Sequence, residues 1–109
     1  MDIKPAISPF WFTPPDQDEV RFKLKPLTQP QIAELWRTFV DSAPTMESFY
    51  KAGELALNGA GEIEGLTIDG KPARWPKDRN VIPYLLIVKC GVEILTQTSS
   101  LDGGDAEKN

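Results

Sequence analysis

The side chains able to do chemistry are few in this chain of 109 residues. It contains no histidine, which is the commonest general base and metal ligand in proteins. Its single cysteine, Cys90, therefore lacks the imidazole of a thiol-protease pair and the companion ligands of a zinc site. We predict that the protein is not an enzyme and that it uses no metal and no cofactor.

Two short segments resemble ligand-binding loops only loosely. Asp16, Asp18 and Glu19 form an acidic loop, but the glycine and the terminal glutamate of an EF-hand are missing. Gly59-Ala60-Gly61 matches neither a phosphate-binding loop nor a dinucleotide fingerprint. We interpret the first as a solvated loop and the second as a helix stop.

Charge and hydropathy exclude two further classes of partner. Arg21, Lys23 and Lys25 alternate with apolar residues, as in an RNA-binding strand, but the formal net charge of −4 opposes phosphate binding. The longest apolar run, Tyr84 to Val88, is too short to cross a bilayer, and no apolar run follows a basic start. A lone cysteine fits a reducing compartment. The sequence predicts a cytoplasmic protein that binds neither nucleic acid nor membrane.

The first predicted element is a β-hairpin. Residues 10–13 form a short aromatic run, and residues 20–25 alternate between apolar and basic side chains, the pattern of a half-buried strand. Trp11 faces away from Phe10 and Phe12 on its strand. Because tryptophan is enriched at binding hot spots, Trp11 is a candidate anchor for a protein partner.

Two amphipathic helices follow the hairpin. The first begins after Thr28, which can form a capping box with Gln31, and it is expected to end near Asp41. Its apolar side chains recur at helical spacing: Ile32, Leu35, Trp36, Phe39 and Val40. The second helix is expected from about Thr45 to Leu57, and the glycines after Asn58 provide its stop.

A second, smaller hairpin is predicted around Asp69-Gly70. This dipeptide favours a type I′ turn, which needs positive φ at both positions. The turn sets a register in which Ile68 faces Lys71, and it requires an edge strand for Pro72. Extending that register places Leu66 opposite Ala73 and Glu64 opposite Trp75.

The last element is predicted as a helix over residues 81–98, capped by Asn80 with Pro83 in its first turn. A pair of strands, Tyr84 to Val88 and Val92 to Leu95, is the alternative that periodicity leaves open.

As a helix, this element carries two apolar stripes. One holds Val81, Leu85, Val88, Val92 and Leu95, and the other holds Ile87, Cys90 and Ile94. A domain of this size offers cover for only part of so apolar a helix. We expect the stripe of Ile87, Cys90 and Ile94 to lack intramolecular cover, and therefore to bind other proteins and to form homo-oligomers.

These elements predict an α+β fold with three helices, an N-terminal β-hairpin and a small Asp-Gly hairpin. Residues 10–98 are expected to form a single globular domain, between a flexible arm at 1–9 and a flexible acidic tail at 99–109. The core is predicted to contain Leu35, Trp36, Phe39, Phe49, Leu66 and Leu85.

Taken in order, the elements resemble the tail assembly chaperones of long-tailed, siphophage-type bacteriophages. The resemblance rests on the run from Phe22 to Thr28 before a helix, on a hydrophobic helix ending in a glycine bend, and on the Leu66 to Pro72 hairpin. A terminal helix closing on Ser99-Ser100-Leu101 and Glu107-Lys108-Asn109 completes it. The proline-rich aromatic start and the strongly apolar last helix depart from the family pattern.

The resemblance implies a function in virion morphogenesis in the host cell cytoplasm. Such chaperones bind the helical tape measure protein, keep it soluble and promote polymerisation of the major tail protein around it. Many are made in two lengths by translational frameshift, and Glu107-Lys108-Asn109 can be encoded by the adenine-rich kind of stretch that slips.

Two other classes of function remain open. A small phage-encoded inhibitor of a host defence complex would mimic acidic nucleic acid, against which the modest charge of −4 argues. A structural tail completion or connector protein would stay in the virion. A gene position just before a very long helical reading frame would favour the chaperone.

Overall fold

Three helices and two small antiparallel sheets make up residues 8–99, the part of the chain that the computed structural model describes. The predicted α+β class and both predicted hairpins are confirmed. The arm (1–9) and the tail (99–109) lie almost wholly outside the described residues. The elements are β1 (Phe10–Phe12), β2 (Arg21–Leu24), α1 (Gln29–Trp36), α2 (Met46–Ala60), β3 (Ile63–Glu64), β4 (Thr67–Ile68), β5 (Lys71–Pro72) and α3 (Tyr84–Ser99).

The larger sheet has the order β1-β2-β3, so β2 is paired on both edges. Phe12 pairs with Phe22, and Phe22 pairs on its other side with Ile63. Glu64 lies opposite Arg21 in this sheet. The predicted pairing of Glu64 with Trp75 is therefore wrong, because β3 joins the N-terminal sheet instead of extending the second hairpin.

The second hairpin has the predicted turn and register. Asp69 and Gly70 both have positive φ, 52° and 78°, as a type I′ turn requires, and Ile68 pairs with Lys71. The N–H of Ala73 donates to the carbonyl of Leu66 at 2.8 Å, which extends the ladder by one step. The turn chemistry alone was sufficient to predict this element.

Helix α1 begins as predicted but ends early. Thr28 and Gln31 form the expected capping box. The helix stops at Trp36 and not near Asp41, because the chain turns tightly after it. In that turn Asp41 and Ser42 both have positive φ, and two backbone hydrogen bonds join Val40 to Ala43.

Hydroxyl groups join the turn after α1 to the start of α2. Ser48 is fully buried and completes a capping box with Thr45. The hydroxyl of Thr38 donates to Ser48 Oγ at 2.6 Å, and Ser48 Oγ lies 3.2 Å from the carbonyl oxygen of Thr38. At its other end α2 closes on Gly61, whose φ of 74° is the left-handed conformation of a helix stop.

Helices α2 and α3 pack with their backbones in close approach. A side chain at Gly53 would overlap the carbonyl of Ile87, and one at Gly91 would overlap the carbonyl of Phe49. The two glycines thus mark two points where backbone lies directly on backbone. This packing requires a continuous α3, so the alternative of two strands in this region is wrong.

The core lies between the three-stranded sheet and these two helices. Its buried members are Val20, Phe22, Leu24, Ala56, Leu57, Trp75, Ile82, Leu86, Ile87, Cys90 and Ile94. Of the predicted core residues, Leu35 is buried, and Phe39, Phe49 and Leu66 are partly buried. Trp36 and Leu85 are exposed, so their prediction is wrong.

Candidate protein-binding surface

The inward side of α3 carries the three residues that we expected, from the sequence, to lack intramolecular cover. Ile87, Cys90 and Ile94 are at most 1% exposed. The prediction that this stripe lacks intramolecular cover is therefore wrong, and none of the three is available to a partner in this fold. The physical reason is Gly91, next to Cys90, which lets α2 approach closely enough to bury the whole stripe.

The opposite side of α3 carries exposed apolar side chains instead. Val81, in the turn before the helix, and Leu85 and Val92 on it are 59%, 58% and 42% exposed. We call these three residues the outer stripe. They belong to the first of the two predicted stripes, which contains Leu85 of the predicted core. In that stripe only Val88 is buried, and Leu95 is partly buried.

The start of α3 and the loop before it are fastened to α2. The ring of Tyr84 stacks on that of Tyr50, with centroids 4.7 Å apart and planes 7° apart. Arg79 forms an ion pair with Glu54. Burial is the main cause that raises the pKa of Tyr50, and the carboxylate of Glu54 raises it further. These contacts fix the position of the outer stripe relative to α2.

The same loop is fastened at a second point. The indole N–H of Trp75 donates to the side-chain oxygen of Asn58 at 2.7 Å. Trp75 is itself part of the buried core. The amide of Asn58 therefore satisfies a polar group that would otherwise be buried without a partner.

Trp11 lies on the outer face of the sheet and is partly covered. Phe10 and Phe12 pack on the core, whereas the guanidinium carbon of Arg21 lies 4.5 Å from the centroid of the Trp11 ring. The ammonium of Lys23 lies 5.6 Å from the same centroid. A partner that used Trp11 as an anchor would have to displace these cations, so the outer stripe is the more accessible apolar surface.

A second exposed apolar group lies where α1 meets α2. Trp36, Val40 and Met46 are 57%, 61% and 49% exposed, and the rings of Trp36 and Phe39 are 4.9 Å apart. We call Trp36, Val40 and Met46 the corner cluster. Sequence periodicity placed Trp36 inward, whereas Trp36 is the last residue of α1 and lies on its solvent side.

Burial makes the thiol of Cys90 a poor nucleophile. Loss of solvation raises the pKa of Cys90 to about 12, so the reactive thiolate is scarce near neutral pH. Within residues 8–99, no group of three or more histidine, cysteine, aspartate or glutamate side chains is placed to hold a metal ion. No helix in that range is long and apolar enough to cross a membrane.

Comparisons of the chain with family models, with curated proteins and with solved structures found no match.

Proposed function

We propose that this protein binds a helical protein partner through the outer stripe of α3, and that it acts as a tail assembly chaperone of a long-tailed phage. The observation that carries the binding proposal is the exposure of Val81, Leu85 and Val92 on α3 and on the turn before it, which are fixed to α2. Apolar side chains exposed in a row on one helix match the row of apolar side chains on an amphipathic partner helix.

The energetics favour an apolar interface over a charged one. Each side chain of the outer stripe that becomes fully covered contributes roughly 1–2 kcal/mol, because about half of its surface is still exposed. The nearby ammonium of Lys89 already donates to the carbonyl of Pro15 at 3.3 Å. Binding should therefore depend little on salt, since ions screen charge pairs and not apolar burial.

The choice of partner rests on the resemblance in element order. We propose the tape measure protein as the partner, with assembly of the major tail protein as the result. A long helical protein with an exposed apolar stripe aggregates unless another protein covers the stripe. Support comes from the strand, capped helix, glycine bend and Asp-Gly hairpin, which carry the resemblance and are all elements of the fold.

Co-expression with the tape measure protein of the same phage tests the proposal. The wild-type chain should keep that protein in the soluble fraction and should be recovered with it at both low and high salt. Leu85→Glu should abolish recovery, because it places a charge at the centre of the outer stripe. Val40→Glu, at an equally exposed apolar position in the corner cluster, is the matched control and should leave recovery unchanged.

Two results would contradict the proposal. Equal loss of binding in Leu85→Glu and Val40→Glu would show that the outer stripe is not the interface. Recovery of a nuclease complex in place of the tape measure protein, lost as salt rises, would favour an inhibitor that mimics nucleic acid.

A further inference from the structure

A group of positive charges lies beside the second hairpin. Three basic side chains line a shallow groove of about 290 Å³, together with two apolar residues and one acid: Lys71, Arg74, Lys77, Ile68, Pro72 and Asp78. We call the site formed by Lys71, Arg74 and Lys77 the basic groove. The type I′ turn of the hairpin fixes one of its walls.

The basic groove keeps a net positive charge within the described part of the chain. Arg21, Lys23, Arg37 and Arg79 each lie within ion-pair distance of a glutamate. None of the three cations of the groove has such a partner in residues 8–99. The one acid of the groove, Asp78, accepts a hydrogen bond from the backbone N–H of Arg74 at 2.8 Å. Three cations and one carboxylate thus leave the groove with a net positive charge in a chain of net charge −4.

We propose that the basic groove binds an acidic peptide segment of a protein partner. The three cations supply the charge that carboxylates need, and Ile68 and Pro72 supply apolar surface for the side chains between them. An anion bound here relieves the mutual repulsion of Lys71, Arg74 and Lys77. The basic groove shares no residue with the outer stripe, so this proposal can be tested separately from the proposed function.

The neighbouring surface favours a peptide over a nucleic acid. A second groove shares Pro72 and Arg74 with the first and is lined by Glu62 and Glu64. A continuous phosphate backbone leaving the basic groove in that direction would meet these carboxylates. A peptide can place acidic residues in the basic groove and neutral or basic residues beyond it.

Fluorescence anisotropy on the full chain tests this proposal. The probe is a labelled synthetic peptide of alternating glutamate and leucine, compared with the same peptide carrying glutamine for glutamate. We expect the acidic peptide alone to bind, with an affinity that falls as salt rises. Arg74→Glu should weaken it by about tenfold or more, whereas Arg37→Glu should change it less than about twofold. The second substitution makes the same change of charge at the side chain of Arg37, which directly follows α1 and is 82% exposed.

Three results would overturn the proposal. The acidic peptide could fail to bind the wild-type chain, or Arg74→Glu and Arg37→Glu could weaken binding equally, which would reflect net charge alone. A labelled single-stranded DNA that binds more tightly than the peptide and is lost in Arg74→Glu would assign the groove to nucleic acid. Circular dichroism melting checks the fold of each variant, and Lys77→Gln repeats the test with a milder change.

Discussion

Two apolar stripes run along α3, and they have opposite environments. Ile87, Cys90 and Ile94 are sealed against α2, whereas Val81, Leu85 and Val92 are open to solvent. Their hydrophobicity does not explain the difference, because both stripes consist of aliphatic or similarly apolar residues. The difference comes from Gly91, which lies on the same side of α3 as the sealed stripe and contacts the backbone of α2. Small residues decide which face of an apolar helix can approach another helix closely.

The largest expected effect contrasts one side chain from each stripe. Ile94→Ala should lower the free energy of unfolding by about 2–5 kcal/mol, since it opens a cavity in the core. Leu85→Ala should change it by less than about 0.5 kcal/mol, because Leu85 is largely solvated. Urea denaturation of both variants measures the difference. Similar losses in the two would mean that α3 is rotated relative to the structure described.

The second prediction concerns the glycine that sets the contrast. Gly91→Ala should cost about 3 kcal/mol, because its methyl group would overlap the backbone carbonyl of Phe49 and force α2 and α3 apart. Gly59→Ala, also on a helix, should cost less, since its methyl group meets the side chain of Lys25 and not backbone. Thermal denaturation compares the two. An unchanged melting temperature for Gly91→Ala would contradict the close approach.

The third prediction uses pH to probe the sealed stripe. Burial favours the neutral thiol, so the pKa of Cys90 is about 12 in the folded chain and about 8.5 in the unfolded chain. The associated stability is complete below pH 8.5 or so, and it falls as pH rises toward 12, by about 1.4 kcal/mol per pH unit.

A Cys90→Ala variant removes this one dependence and leaves every other titratable side chain in place. The wild-type urea midpoint should therefore fall relative to the variant above about pH 8.5. Parallel curves for the two proteins would show that Cys90 is solvated.

The smallest effect on stability should accompany a change in association. We predict that without a partner the outer stripe is covered by a second copy of the chain, giving homo-oligomers. Leu85→Glu should leave the unfolding free energy within about 0.5 kcal/mol of wild type and should make the protein more monomeric in sedimentation. A charge at Ile94, in contrast, would be buried and would unfold the chain. A wild-type protein that is monomeric at high concentration would contradict self-association.

Local signals in the sequence were sufficient for the parts of the fold that depend on neighbours along the chain. The capping box of α1, the stop at Gly61 and the Asp69-Gly70 turn are each determined within a few residues. The Thr28–Gln31 pair and the turn dipeptide have a specific backbone geometry, so they could be predicted with their partners, whereas the capping box of α2 uses Ser48 and was not predicted.

The parts that depend on distant residues could not be predicted in this way. β3 has two residues and shows no periodicity, so its pairing with β2 is not encoded locally. The face that α3 turns inward depends on a backbone contact between Gly91 and Phe49 in another helix. The prediction of the candidate site failed for the same reason. The sequence correctly indicated that α3 carries more apolar surface than the fold covers, but we predicted the wrong stripe to be exposed.

The position of β2 between β1 and β3 has a consequence for the order in which the chain folds. β1 and β2 lie close in sequence and can pair as soon as both are synthesised. Pairing with β3 joins Arg21 to Glu64, 43 positions away, and closes a loop that contains α1 and α2. Helix α3 follows later still, so the face of α2 around Gly53 stays uncovered until α3 has been synthesised. A nascent chain that stalls before α3 should therefore expose this face and be prone to aggregate.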